Sequence, residues 1–147
     1  MTPLNQNLMK RLDAGTVLVA EGYIFELERR GYLKAGPFVP EAVLKYPEVV
    51  QGLHREFVRA GTDVVVACTY YAHRTKLKSI GIENALEQLN VKAVELAVEA
   101  ARETGAIVAG NICNTWEYDP SDLNASEDKV RSIFREQVQW AKAGGAD

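Results

Sequence analysis

Reactive and polar side chains follow directly after a run of small apolar residues, Val64 to Ala67. Within a few positions the chain offers a thiol, a hydroxyl, two phenols and an imidazole, at Cys68, Thr69, Tyr70, Tyr71 and His73. Side chains just past the carboxyl end of a buried parallel strand are the ones that carry chemistry in α/β proteins. This stretch is therefore the best candidate for a functional edge.

Metal binding is one chemistry that these residue types allow. Cys68 and Cys113 both follow apolar strand-like runs, and His73 lies near the first of them. Zinc takes Cys and His ligands, but the short paired spacing of most zinc sites is absent. Buried cysteines also serve as small apolar side chains, and we expect that role for Cys68.

Alternating strands and helices would position these residues. The continuous β-branched run at 63–68 predicts a strand buried on both faces, as in a parallel sheet covered by helices. Shorter apolar runs predict strands at 16–20 and 106–110. Apolar residues at helical spacing predict helices at 47–60, 84–104 and 126–143, and a short helix at 4–12 precedes the first strand.

A short phrase occurs twice in the chain. Arg59-Ala60-Gly61-Thr62-Asp63 leads from a helix into the second strand, and Lys142-Ala143-Gly144-Gly145-Ala146-Asp147 is nearly the same phrase after another helix. Strand–helix units at this spacing build parallel sheets with right-handed crossovers. We expect an α/β chain, residues 1–147, that forms the first three strand–helix units of a (β/α)8 TIM barrel. A complete small three-stranded α/β domain is the alternative.

Composition narrows the class of protein. The 147 residues are 47% apolar and 25% charged, which is ordinary for a globular domain, and the net charge of -3 argues against a nucleic-acid surface. No apolar run approaches the roughly 20 residues of a membrane span. The segment Met1–Gln6 does not resemble a signal peptide, and two distant cysteines suit a reduced cytoplasm.

Several ordered segments resemble the homocysteine S-methyltransferase family, and within it the betaine–homocysteine methyltransferases most. They are Gly31-Tyr32-Leu33-Lys34-Ala35-Gly36-Pro37, Pro40-Glu41-Ala42-Val43, Leu53-His54-Arg55-Glu56-Phe57, Ala60-Gly61-Thr62-Asp63-Val64, Thr69-Tyr70-Tyr71-Ala72 and Val108-Ala109-Gly110. The likeness runs from about Arg11 to Asp147. It implies a zinc-dependent barrel that moves a methyl group from a small cationic, betaine-like donor to the thiol of homocysteine, giving methionine.

The resemblance also implies site residues. Glu21 and Gly22 match the turn that holds homocysteine, and Tyr71 matches a tyrosine that faces the substrates. An aromatic face suits a quaternary ammonium or sulfonium donor because its quadrupole attracts a cation. Thr69 is expected to line the same site. The partners implied are small molecules, and no nucleic acid or membrane is expected.

The sequence departs from the family pattern at two places. The family turn reads Asp-Gly-Gly or Asp-Gly-Ala, whereas here it reads Glu21-Gly22-Tyr23 and is one residue shorter. The family's zinc cysteines lie in a Gly-Gly-Cys-Cys-Gly segment that has no match, so we expect no metal ligand and little activity from these residues alone. Two alternatives remain. One is a non-catalytic half-barrel binding or assembly protein that has lost the metal half and covers its sheet edges by forming a homo-oligomer. The other is an enzyme with another thiol acceptor.

Other residues of the helices and strand ends carry expectations as well. His54 is expected to be a surface or interhelical histidine. Asn111 follows the third strand and could line the pocket, and Trp116 and Tyr118 could face a cation.

Overall fold

The computed structural model describes residues 5–34, 36–37 and 39–147, so Leu4, the expected start of the first helix, lies outside it. The helices and strands follow in the order α1 (Asn5–Ala14), α2 (Tyr23–Arg29), α3 (Ala42–Lys45), α4 (Pro47–Arg59), β1 (Val64–Val66), α5 (Arg74–Lys78), a 3-10 turn (Glu83–Ala85), α6 (Leu86–Arg102), β2 (Ile107–Ala109) and α7 (Leu123–Gly144). Strands and helices alternate as expected, and the protein is of the α/β class.

A parallel sheet lies at the centre of the structure. β1 and β2 pair in parallel with Val65 opposite Val108, and all three residues of β1 are buried. The prediction of a strand buried on both faces is therefore confirmed. Both strands are shorter than the sequence predicted, and just past β1 the N–H of Ala67 still donates to the carbonyl of Ala109 in β2.

The expected first strand is present as a single parallel bridge between Val19 and Val64. Ala20 donates to the carbonyl of Val64 at 2.8 Å, and Val64 donates to the carbonyl of Leu18 at 3.0 Å. Leu18 and Val19 stay half exposed, at 55% and 50%. The segment thus lies beside β1, in the place of a first strand, with little cover on its outer side.

The helices that cover the sheet do so through apolar faces. α4 packs against α6, and α6 packs against α7. One apolar cluster joins α2, α3 and α4 to β1, with Leu27, Val43 and Leu53 at its centre. A second cluster joins β1 and β2 to α6 through Val65, Ala97 and Val108. Among the described helices, none is both long enough and apolar enough to cross a membrane.

Two helices differ from the sequence prediction. No element was predicted for the polar segment after His73, but it forms the short helix α5, which buries Leu77 completely. The last helix begins at Leu123 and not at Ser126, because the side chain of Asp122 accepts from the backbone of Ala125 and caps it. Ser126 lies inside the helix and donates to the carbonyl of Leu123.

The repeated phrase has the same structure in both copies. After α4, Gly61 has a φ of 99° and Thr62 donates to the carbonyl of Phe57; after α7, Gly145 has a φ of 97° and Ala146 donates to the carbonyl of Ala141. A residue with left-handed φ is the usual way to end a helix.

The aspartate that closes each copy makes two hydrogen bonds to the neighbouring strand segment. Asp63 donates its N–H to the carbonyl of Leu18 at 2.9 Å, and its carboxylate accepts from the N–H of Leu18 at 2.9 Å. Asp147 does the same with Val108, at 2.8 and 2.9 Å. Asp147 therefore stands beside β2 as Asp63 stands beside the first strand segment.

Candidate functional site

A pocket of about 290 Å³ opens at the carboxyl ends of the strand segments. Its walls come from the turn after the first segment, the start of α2, the end of β1 and one residue past β2. The lining residues are Glu21, Gly22, Tyr23, Ile24, Phe25, Val66, Ala67, Cys68, Tyr70, Tyr71 and Asn111. Three of the four predicted site residues, Glu21, Gly22 and Tyr71, thus meet in one cavity.

Tyr71 is held tightly at the edge of this pocket. Its side chain is only 8% exposed, and its φ of 56° is unusual for a residue with a side chain. Its backbone N–H donates to the Sγ of Cys113 at 3.2 Å. Strained backbone of this kind persists where the surroundings fix it, and it is frequent at binding sites.

Aromatic surface surrounds Tyr71. The rings of Tyr70 and Tyr71 lie 4.3 Å apart between centroids, tilted by 39°, and the ammonium of Lys76 lies 4.5 Å from the centre of the Tyr71 ring. The hydrogen bond between the two phenols, together with burial, raises the pKa of Tyr70 to about 12. Tyr70 is therefore a neutral phenol at physiological pH, and the edge of the pocket is aromatic and uncharged apart from Lys76.

Glu21 supplies the charge of the pocket itself. It lies in the turn that leads from the first strand segment into α2, and its side chain is exposed. Among the described residues that line the pocket, Glu21 alone carries a formal charge. The site can therefore attract an ammonium group to one wall while it offers aromatic surface on another.

Tyr23 lines the pocket and contacts His54 on α4. The Tyr23 hydroxyl and Nδ1 of His54 share a hydrogen bond of 3.1 Å, and the two rings lie 4.8 Å apart. His54 is completely buried, so the expectation of a surface position is wrong, while its interhelical placement is confirmed. Burial lowers the pKa of His54 to about 4 and raises the pKa of Tyr23, which keeps both groups neutral.

Thr69 lies beside the pocket and not in it. Its buried hydroxyl donates to the carbonyl of Asn111 at 2.9 Å, which joins the ends of β1 and β2. Thr69 lines a neighbouring cavity of about 440 Å³ between α6 and α7, and Asn111 lines both cavities. A role for Thr69 in substrate binding stays a prediction.

The described residues do not fit a zinc ion. No group of three or more His, Cys, Asp or Glu side chains in this part of the chain is arranged to hold a metal. Burial raises the pKa of the Cys68 thiol to about 12, so Cys68 is a neutral core residue, as expected. Burial also raises the pKa of Cys113, whose sulfur accepts the Tyr71 N–H.

Some contributors to the site carry no distinct signal in the sequence. Phe25 lines the pocket from the first turn of α2. From the sequence alone, an aromatic residue in a short helix is equally typical of a core position. Lys76 lies in a segment with several basic residues, and only the fold brings it to Tyr71. Trp116 and Tyr118 were expected to face a cation; they are 73% and 59% exposed and do not line this pocket.

Comparisons with a family model and with known proteins point to the same family. Residues 18–147 match the model of the homocysteine S-methyltransferase family. The chain is 43% identical over 143 residues to betaine–homocysteine S-methyltransferase 1 of Xenopus tropicalis, covering 93% of this chain and 34% of that protein. It is 41% identical over 140 residues to the Mus musculus protein of the same name, covering 91% of this chain and 33% of the other.

A solved structure resembles the fold as well. The metallated form of the homocysteine methyltransferase MmuM from Escherichia coli superposes with a TM-score of 0.75 at 25% identity, over 95% of this chain and 55% of that one. The chain spans about a third of the length of the curated relatives it matches. Since the family model covers most of its residues, the chain belongs to the homocysteine S-methyltransferase family.

Proposed function

We propose that this chain forms the amino-acid and donor side of a site that transfers a methyl group from a small, betaine-like cation to the thiol of homocysteine, giving methionine. The observation that carries the proposal is the single pocket that brings Glu21 and Gly22 together with Tyr70 and Tyr71. Membership of the family and relatives named for betaine and homocysteine support the choice of reaction.

Each lining residue has a role that follows from its chemistry. The carboxylate of Glu21 attracts the ammonium group of homocysteine, and the compact Gly22 leaves room beside it. The ring of Tyr71, whose backbone is fixed by Cys113, offers an aromatic face to the methyl donor. Tyr70 extends that face. The residues of this chain therefore bind and orient the two substrates.

Activation of the thiol is assigned to groups outside these residues. The thiolate is the nucleophile in sulfur chemistry, and the resemblance implies that zinc supplies it. The described residues do not fit such an ion, since Cys68 is a buried neutral thiol and no other group of ligands is assembled. We therefore expect little methyl transfer from the 147 residues alone.

We further propose that residues 1–147 are the N-terminal part of a (β/α)8 barrel domain. Three parallel strand segments alternate with helices, and Asp147 meets β2 as Asp63 meets the first segment. Both cysteines are free, which suits the cytoplasm that we assign.

Binding of homocysteine to the purified chain tests the site. We expect L-homocysteine to raise the midpoint of thermal unfolding, because a ligand that binds only the native state stabilises it. Glu21→Gln should weaken this effect by about tenfold in ligand concentration, the equivalent of about 1.4 kcal/mol. Glu87→Gln is the matched control, since Glu87 lies exposed on α6 and does not line the pocket.

Two outcomes would contradict the proposal. One is a chain that homocysteine leaves unaffected at millimolar concentration. The other is an equal loss of binding in Glu21→Gln and Glu87→Gln, which would show that the pocket charge has no specific role.

A non-catalytic assembly protein is the second candidate function. The half-exposed Leu18 and Val19 give this alternative its support, because uncovered strand segments invite pairing with another chain. Sedimentation equilibrium of the purified chain tests this alternative. A stable homo-oligomer that does not bind homocysteine would favour an assembly function over a catalytic one.

A further inference from the structure

His54 is a buried polar side chain to which the proposed function gives no role. It lies on α4, in one of the segments that resemble the family, and it is completely buried. Its Nδ1 shares a hydrogen bond of 3.1 Å with the Tyr23 hydroxyl, whereas its Nε2 has no hydrogen-bond partner among the described residues. An unpaired polar atom in the core costs free energy that an aliphatic side chain of similar size would avoid. Packing alone therefore does not explain a histidine at this position.

The partner of His54 is a residue of the pocket wall. Tyr23 lines the pocket, and its ring packs against the rings of His54 and Phe57 at centroid distances of 4.8 and 4.9 Å. The backbone of Val66, at the end of β1, also forms a hydrogen bond with the Tyr23 hydroxyl. This hydroxyl thus joins the start of α2 to both α4 and β1. His54 does not line the pocket itself, so its effect on the site is exerted through Tyr23.

The turn that carries Glu21 is held at both ends. Before the turn, Ala20 donates its N–H to the carbonyl of Val64 at 2.8 Å. After the turn comes Tyr23, the first residue of α2, with its buried hydroxyl. Gly22 lies between them in a left-handed conformation with a φ of 81°. Only Glu21 and Gly22 separate the two fixed points, so the direction of the Glu21 side chain depends on where Tyr23 is held.

Building on the proposed function, we propose that His54 is a positioning residue for the acceptor amino acid. Through the Tyr23 hydroxyl it fixes the turn whose carboxylate, that of Glu21, binds the ammonium group of homocysteine. The contact between His54 Nδ1 and the Tyr23 hydroxyl carries the inference. A displaced carboxylate loses affinity for the charged group specifically, because the attraction between two charges weakens with their separation.

Two thiols that differ in one group measure this role. L-Homocysteine carries an α-ammonium group, and 4-mercaptobutanoate is the same molecule without it. Isothermal titration of the purified chain should show tighter binding of homocysteine, and the ratio of the two dissociation constants reports the contact with Glu21. Tyr23→Phe deletes the hydroxyl and His54→Leu deletes its partner. Each variant should lower the ratio by about threefold to tenfold, the effect of about one net hydrogen bond.

Further variants separate the hydrogen bond from packing. The double variant Tyr23→Phe, His54→Leu replaces both partners by apolar groups of similar shape. Its free energy of unfolding in urea should stay close to that of the wild type, while the ratio falls as in Tyr23→Phe. His54→Asn keeps a polar atom near the position of Nδ1 and should retain most of the ratio. Phe57→Leu reduces packing on the Tyr23 ring and keeps the hydrogen bond, so it should lower stability and leave the ratio unchanged.

The outcomes distinguish this inference from the proposed function. A wild-type ratio in Tyr23→Phe and in His54→Leu, with homocysteine still bound, would overturn the role of His54 and leave the proposed function standing. An equal fall in Phe57→Leu would also overturn it, because packing on the ring would then suffice. Tyr23→Phe added to Glu21→Gln should lower the ratio no further, and an additional loss would show that the hydroxyl does not act through Glu21. A wild-type chain that binds neither thiol would overturn the acceptor site and, with it, the positioning role.

Discussion

Protonation of His54 should destabilise the protein at mildly acidic pH. His54 is completely buried, its Nδ1 is bonded to the Tyr23 hydroxyl, and its Nε2 has no hydrogen-bond partner among the described residues. Burial lowers its pKa from 6.5 to about 4. Between these two values the unfolded chain binds more protons than the native one, so stability is complete above pH 6.5 and falls as the pH is lowered.

The size of the effect follows from the two pKa values. Lowering the pH from about 7.5 to about 5 should remove about 2 kcal/mol of the free energy of unfolding through this residue alone. Urea unfolding at several pH values measures the loss directly. His54→Gln should be less stable than the wild type at neutral pH, because the ring packing against Tyr23 is lost, but its stability should depend much less on pH.

His73 provides the control for this experiment. Burial also lowers the pKa of His73, so it adds to the pH dependence of the wild type with the same sign. His73→Gln should therefore keep the part that His54 contributes. The reasoning is refuted if His54→Gln retains the whole pH dependence of the wild type between about pH 7.5 and 5.

Two further predictions concern the phrase that links helix to strand, and urea unfolding checks both. Gly61→Ala should lower the free energy of unfolding by about 1–2 kcal/mol, because φ at this position is 99°. Gly52→Ala, inside α4 with open space around it, should raise the free energy of unfolding by about 0.5–1 kcal/mol. Equal effects at the two glycines would contradict this reasoning. Asp63→Asn should lower the free energy of unfolding by about 1–3 kcal/mol, because the Asp63 carboxylate accepts from the N–H of Leu18 at 2.9 Å. Asp13→Asn, on the exposed α1, should change the free energy of unfolding little. An Asp63→Asn variant as stable as the wild type would show that the carboxylate is dispensable.

Periodicity predicted those parts of the fold in which one pattern dominates. The valines of β1 and the apolar face of α6 allowed no other interpretation, and both elements formed as expected. α5 was missed because Leu77 is its one buried residue, which gives no periodic signal. Ser126 misled the prediction of α7, since a serine caps a helix or bonds within it equally well, and here it bonds within.

Lining residues of the site were predicted from the positions of the strand ends and from the resemblance to a known family. The contacts between side chains within the site were not predicted. Glu21 and Tyr71 meet in one pocket because parallel strands end at a common edge. The bond of Tyr71 to Cys113 joins distant segments, and the left-handed backbone of Tyr71 and its contact with Lys76 depend on the local turn into α5, which has no periodic signal. The apolar periodicity of the sequence likewise does not predict the hydrogen bond between Tyr23 and His54. It also could not decide whether His54 was buried.

The two aspartate contacts have a consequence for how the sheet is assembled. A slip of one residue along a strand exchanges its inner and outer faces. Because Asp63 bonds both polar groups of Leu18, and Asp147 those of Val108, such a slip would break two hydrogen bonds at once. Each aspartate therefore fixes the alignment of its own segment against the neighbouring strand segment by a local contact. A growing chain can therefore set the register of its strand segments one strand–helix unit at a time during synthesis.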